Sequence, residues 1–172
     1  MEEEILFITP QEMTATTIMG GNIDTDKYTF CISDVQEKVI QELLGTDLYD
    51  KIVEDLENDI PLVGDYLILF NKFVKPITKF EACADYITIS NYNLTNKGLL
   101  KNGGTDKEIV PLEEVQILSE RYHAKAQMYI RRFDKWICNN PIEEYRTSQD
   151  EVNAQKNIML NPSWNLGNNE VR

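Results

Sequence analysis

The chain has a single histidine, His123, and that scarcity removes most common catalytic arrangements at once. A Ser-His-Asp or Cys-His pair would have to recruit His123, which follows a tyrosine, and no serine or cysteine sits in a small-residue elbow. Glu120 and His123 form Glu-x-x-His, the spacing that places two di-iron ligands on one helix face. Such sites use two of these motifs and two further glutamates, and no second histidine exists. Gly103-Gly104 lacks the Gly-Lys-Ser/Thr that cradles phosphate. Asp24-Thr25-Asp26 opens like a calcium loop, but Thr29 and Val35 stand where its glycine and its bidentate glutamate belong. The expectation is a protein with no catalytic residues, no metal and no cofactor, whose work is binding other macromolecules.

Cysteine is also sparse. Cys31, Cys83 and Cys138 are an odd, widely spaced set without Cys-x-x-Cys, and each lies among or beside apolar helical positions. All three are expected to be buried reduced thiols, as suits a reducing compartment. No apolar run approaches the ~20 residues that span a bilayer, so no membrane partner is expected. The start, Met1-Glu-Glu-Glu, is acidic where a secretory leader is basic and then apolar, which predicts a soluble chain kept in the cytosol. Eight glycines and six prolines supply turns but exclude a low-complexity fibre.

What remains is the composition of one globular domain: 172 residues, 42% hydrophobic and 27% charged. The formal charge of −12 is unevenly placed. Residues 1–86 hold 18 acidic and 6 basic side chains, whereas residues 87–172 hold 11 of each. Such a surface repels nucleic-acid phosphates and does not grip them.

Along the chain, residues 5–9 read as a short extended apolar arm. Thr9-Pro10-Gln11-Glu12 is a helix start, with Thr9 as cap, Pro10 first and Glu12 closing a capping box. Gly20-Gly21 ends that helix, and residues 22–32 read as a loop. Ser33 or Asp34 then caps a helix carrying Val35, Val39, Ile40, Leu43 and Leu44 on one face. Gly45 ends it and Thr46 caps the next, which carries Leu48, Tyr49, Ile52, Val53 and Leu56. A third apolar helix is expected from Leu62 to about Val74, where Pro76 kinks it or begins another running to about Tyr92. Residues 93–110 read as an insertion, a projecting loop or a small hairpin turning at Asn102-Gly103-Gly104 between Leu99-Leu100 and Ile109-Val110. Pro111 opens a helix to Cys138, with Val115, Leu118, Tyr122, Ala126, Tyr129, Phe133 and Trp136 at helical spacing, roughly 40 Å long. The reading is an all-α bundle of about five helices: an N-terminal arm, short helix and loop (1–32), the bundle (33–146) and a C-terminal tail (147–172).

Two features point to binding. Arg121, Lys125, Arg132 and Lys135 fall within about 80° of one another on the long helix, beside its apolar stripe. They are candidates for a subunit interface. The stripe pairs with the acidic half of its own chain, meets that half of a neighbouring copy head to tail, or touches DNA. In the tail, Ile158, Met159, Leu160, Trp164 and Leu166 are apolar groups with too little context to bury themselves. They form a disordered end or dock onto a partner.

Several segments together resemble a known family. These are Ile32-Ser-Asp-Val-Gln-Glu-Lys-Val-Ile-Gln-Glu-Leu-Leu-Gly-Thr-Asp-Leu-Tyr49, Leu94-Thr-Asn-Lys-Gly-Leu-Leu100, Pro111-Leu-Glu-Glu114, Tyr122-His-Ala-Lys-Ala-Gln-Met-Tyr-Ile-Arg-Arg-Phe133 and Trp136-Ile-Cys-Asn-Asn-Pro-Ile-Glu-Glu-Tyr145. The pattern, over roughly residues 5–146, resembles the small head–tail adaptor proteins of Bacteroidetes-infecting tailed phages, including the crAss-like group. The resemblance implies helical-bundle subunits, usually twelve to a ring, that sit under the portal protein at the head–tail junction and extend the DNA channel toward the tail. It implies a virion protein assembled in the host cytoplasm, with neighbouring ring or tail proteins as partners and DNA passing without specific binding. In that setting the bundle core is the long helix, and residues 93–110 and both ends make contacts between subunits or rings. A different class of reading is an acidic regulatory module that mimics DNA and sequesters a basic protein.

Overall fold

The computed structural model describes residues 5–17, 25–90, 92–95, 98–101 and 111–145. Its first helix, α1 (Pro10–Thr16), begins as the capping pattern requires. The Thr9 hydroxyl accepts from the Glu12 amide at 3.2 Å, and the Glu12 carboxylate accepts from the Thr9 amide at 3.0 Å. The other Glu12 oxygen accepts from Lys75 Nζ at 2.9 Å, which ties α1 to the middle of the chain.

Residues expected as a loop are helical instead. Helix α2 spans Thr25–Val35, a π-turn covers Gln36–Ile40, and α3 (Gln41–Leu44) continues the same rod. Ser33 and Asp34 therefore lie inside a helix and do not cap one. Tyr28, Cys31, Ile32 and Val35 are all buried, so the apolar period begins a turn or two before the point where its aliphatic residues become dense. The π-turn adds one residue to a turn, which resets the phase and brings Gln36, Ile40 and Leu44 inward together. Gly45 (φ +78°) breaks the rod in a conformation that a side chain would strain. It also occupies the cap position of α4 (Thr46–Glu57), so Thr46 is the first helical residue and not the cap.

Residues 60–63 have no regular secondary structure, Val63 is extended, and the next helix starts at Gly64, not Leu62. It runs through α5 (Gly64–Leu69), a second π-turn (Phe70–Val74) and α6 (Lys75–Ile89) without a break. Pro76 removes a backbone donor inside this run. The wide turn before it, where the Lys75 amide reaches back to the Phe70 carbonyl, accommodates the proline with neither a stop nor a new helix. Helix α6 ends at Ile89, and Tyr92 opens a strand. Strands β1 (Tyr92–Thr95) and β2 (Gly98–Lys101) pair antiparallel, with Leu94 opposite Leu99 and Asn93 opposite Leu100. Leu99 and Leu100 thus pair with residues before them, and Ile109 and Val110 lie outside the described residues. Asn102, Gly103 and Gly104 lie outside the described residues.

Helix α7 (Leu112–Ile137) has 26 residues, about 39 Å at the usual rise. The Asn139 and Asn140 side-chain amides donate to the carbonyls of Lys135 and Trp136 at 2.9 and 2.8 Å, closing its last turn. Residues beyond it fold back: Ile142 is buried, Tyr145 meets Phe133 edge to face, and the Tyr66 hydroxyl donates to Glu144 at 2.7 Å.

The antiparallel pair α6–α7 is the spine of an all-α bundle with two apolar clusters. Tyr28, Ile32, Val35, Cys83, Ile87, Val115 and Tyr122 fill one. Ile40, Leu44, Leu48, Ile52, Val74, Ile77, Phe133 and Ile137 fill the other. The N-terminal arm stitches them together, since Ile8 enters the first and Phe7 the second. Gln36 holds the arm: its Oε1 accepts from the Phe7 amide at 2.6 Å and its Nε2 donates to the Ile5 carbonyl at 3.0 Å. The buried side chain thereby acts as a strand partner for an arm that has no sheet. Among the described residues no helix is long and apolar enough to cross a membrane.

Candidate interaction surface

Helix α7 buries Val115, Tyr122, Ala126, Phe133 and Ile137 along one line. Arg121, Lys125, Arg132 and Lys135 project from the flank of that line, and all four are exposed. None has a carboxylate partner among the described residues, so they do not pair with the acidic half of their own chain there. Two of them lie over rings instead. Lys125 Nζ is 4.6 Å from the Tyr122 centroid and 5.4 Å from that of Phe80, and Arg132 Cζ is 5.4 Å from that of Tyr129. Cation–π contacts of this kind hold a charge in place without neutralising it.

The neighbouring helix extends the surface. Lys79 Nζ lies 5.0 Å from the Phe80 centroid, so that ring carries a lysine from each helix. Phe80 in turn stacks on Tyr129 at 5.7 Å. Lys72 and Arg132 line one open cleft of about 390 Å³, with Asn71, Phe73, Pro76 and Tyr129 forming the rest of its wall. Lys72 and Lys79 are two cations that reading α7 alone could not find. Their spacing of seven residues places them on one helix face, but only packing brings that face beside α7.

The described cations fall into two groups, although α7 also carries the exposed carboxylates Glu113, Glu114, Glu120 and Asp134. Lys38, Lys51 and Lys75 bond Asp34, Asp55 and Glu12. Lys72, Lys79, Arg121, Lys125, Arg131, Arg132 and Lys135 have no ion pair among the described residues, and all lie between the second π-turn and the end of α7. The complementary stripe is on α4. Asp47, Asp50, Glu54 and Glu57 are exposed and fall within about 80° of one another, on the side away from buried Leu48 and Ile52. Lys51, the only base of α4, is already bonded to Asp55. No ion pair joins the four carboxylates to a base among the described residues.

Elsewhere the titratable groups are accounted for by packing. His123 Nδ1 is 2.7 Å from Glu81 Oε2, so the histidine answers a buried carboxylate on α6 and not Glu120 of its own helix. Gln127 Nε2 donates to the other Glu81 oxygen at 3.4 Å. Asp85, one turn on, is pushed up from the usual carboxylate range by burial and then by the Glu81 and Asp34 charges. Among the described residues no three His, Cys, Asp or Glu side chains are grouped as a metal site. Burial pushes the Cys31 thiol up to about 12 and that of Cys83 up to about 11. Burial likewise raises Tyr28, whose hydroxyl has no hydrogen-bond partner among the described residues and whose ring stacks on Tyr86 at 4.2 Å. Cys138 departs from expectation: it sits just past the end of α7 and is exposed, because the apolar line has already turned inward at Ile137.

The apolar tail residues Ile158, Met159, Leu160, Trp164 and Leu166 lie outside the described residues. No curated protein and no solved structure matches this chain. Residues 40–155 match a family of unknown function, a stretch that takes in both the acidic stripe of α4 and the cationic face of α6 and α7. With that match extending over well over half of its 172 residues, the chain belongs to the DUF6712 family.

Proposed function

We propose that this protein is a structural virion subunit that forms an oligomeric ring between a phage portal protein and the tail, extending the DNA channel. The observation that carries the reading is the separation of unpaired charge. An acidic helix and a cationic pair of helices stand on one small bundle with neither neutralised in the described residues. Surfaces of that kind are complementary between copies and give heterologous contacts, which close into rings when the rotation allows. The resemblance of residues 5–146 to head–tail adaptors supplies the place of the ring, the portal as its partner and a copy number of about twelve. A net charge of −12 suits a channel past which DNA slides without being held. Assembly would take place in the host cytoplasm, and the product would reside at the head–tail junction.

The test is assembly of the full chain, alone and with a tailed-phage portal protein, followed by native mass spectrometry and negative-stain imaging. Rings, or subunits arrayed on the portal, are the expected result. A strictly monomeric protein that ignores the portal refutes the proposal. The four exposed carboxylates of α4 also favour a second reading, an acidic module that mimics DNA and sequesters a basic protein. Its mark is a stable monomer that captures a basic partner in a salt-sensitive complex.

A further inference from the structure

We propose that the acidic stripe of α4 in one copy docks on the cationic, aromatic face of α6 and α7 in the next. This inference rests on the ring reading for the closure of the assembly, but the contact itself is argued from the surfaces. Asp47, Asp50, Glu54 and Glu57 extend over about 15 Å of helix, and the cations from Arg121 to Lys135 over about 21 Å. The shorter stripe therefore fits within the longer.

Within one copy the two surfaces do not satisfy each other among the described residues. Helices α4 and α7 share the second apolar cluster, but no ion pair joins their charged faces there. The one lysine of α4 is engaged with Asp55, and none of the four carboxylates pairs with a base among the described residues. The receiving face is also preorganised. Lys79 and Lys125 lie over the Phe80 ring, and Arg132 lies over Tyr129. Holding long side chains in place before contact lowers the entropy lost when a carboxylate arrives. Between Lys72 and Arg132 the cleft of about 390 Å³, with Phe73 and Tyr129 in its wall, gives an acidic side chain apolar surroundings that strengthen its pairing. Because the donor patch and the acceptor patch differ, a pair joined by one such contact leaves one patch of each kind free. A head-to-tail contact of this kind propagates from copy to copy, and a closed two-fold dimer in the ultracentrifuge would refute that propagation.

The experiment uses charge reversal in the full chain. One variant carries Asp50→Lys and Glu54→Lys, and a second carries Lys125→Glu and Arg132→Glu. A third carries all four substitutions, and far-UV circular dichroism confirms that each keeps its helix content. Self-association is read by analytical ultracentrifugation and native mass spectrometry, at low salt and at about 1 M salt, where surface attraction is screened within about 3 Å. Each double variant is expected to weaken association on the order of 100-fold, because it sets like charges against each other. The four-fold variant, and an equimolar mixture of the two double variants, should recover it.

Both double variants assembling as well as the unchanged chain overturns the contact while leaving the ring reading in place. Failure of the four-fold variant to recover association, with its fold intact, also overturns the contact. Association that the double variants abolish and the four-fold variant restores, but that forms open chains and never rings, supports the contact and refutes the ring. A monomer under every condition refutes both. A milder pair, Lys125→Gln with Arg132→Gln, should lose about 10-fold and flatten the salt dependence. Unchanged salt dependence in that pair counts against the contact even if a reversal variant fails to fold.

Discussion

Replacing Gln36 by methionine tests how the N-terminal arm is held, because methionine keeps the length, volume and helix preference of glutamine and removes only its hydrogen bonds. Gln36 is 1% exposed and bonds two backbone groups of the arm, the Phe7 amide and the Ile5 carbonyl. Phe7 is 2% exposed, so its amide would be left buried without a partner, at a cost of about 1–3 kcal/mol. The Ile5 residue is only half-buried, so its carbonyl can turn to water, and that lost bond adds about 0.5–1.5 kcal/mol. The expected loss is about 2–4 kcal/mol, a large share of the stability of an ordinary domain. For a chain of this size that is roughly 5–15 °C in melting temperature.

The effect should be local before it is global. Phe7 lies against Tyr49 and Phe70, each at 5.5 Å, so releasing the arm uncovers α4 and the second π-turn. Chemical denaturation followed by circular dichroism measures the total, and hydrogen exchange of the Phe7 amide measures the clamp. Gln36→Glu gives a second handle, since a carboxylate can accept from Phe7 but has no proton for Ile5. Burial would raise the pKa of that carboxylate, so its cost should be largest at neutral pH and ease as pH falls and the acid becomes a donor. If Gln36→Met unfolds within about 0.5 kcal/mol of the unchanged chain and the Phe7 amide stays as protected, the clamp reasoning is wrong.

Two further outcomes follow from the interior. Asp85 has a carboxyl pKa raised by burial and by Glu81 and Asp34, so its ionised form opposes folding above its unfolded value, and protonation relieves the strain as pH falls through the raised native value. Asp85→Asn should therefore raise the melting temperature at pH 7 by a few degrees, and the gain should fade as pH falls to the ordinary carboxyl range; a gain that does not change with pH would contradict this. Of the three thiols only Cys138 is exposed, while Cys31 and Cys83 are buried with raised pKa values, so a thiol reagent should label one cysteine per folded chain and three in denaturant. Rapid native labelling of a second thiol would show that the cluster around Tyr28 opens readily.

The sequence by itself determined what is local in hydrogen bonding or periodic in pattern. The capping box at Thr9 and Glu12 and the stop at Gly45 follow from a few adjacent residues. So do the near-limits of α7 and its cationic stripe, because helix geometry alone puts Arg121, Lys125, Arg132 and Lys135 on one side. The want of a second histidine was likewise plain before any coordinate.

Tertiary structure decided what depends on partners distant in the chain. Residues 25–32 are a helix because Tyr28, Cys31 and Ile32 find α6 to pack on, a partner that the local start signal at Asp24 does not disclose. The two π-turns exist because an extra residue brings Gln36 to the arm and lets the helix pass Pro76, neither of which a fixed period of 3.6 reveals. His123 is matched to Glu81, 42 residues away, and not to the glutamate three residues before it. Above all, the cationic surface takes Lys72 and Lys79 from another helix, and its lack of a carboxylate partner among the described residues is a fact of three-dimensional distance. A sequence records which charges a chain carries, and only the packing of its helices determines which of them remain unpaired.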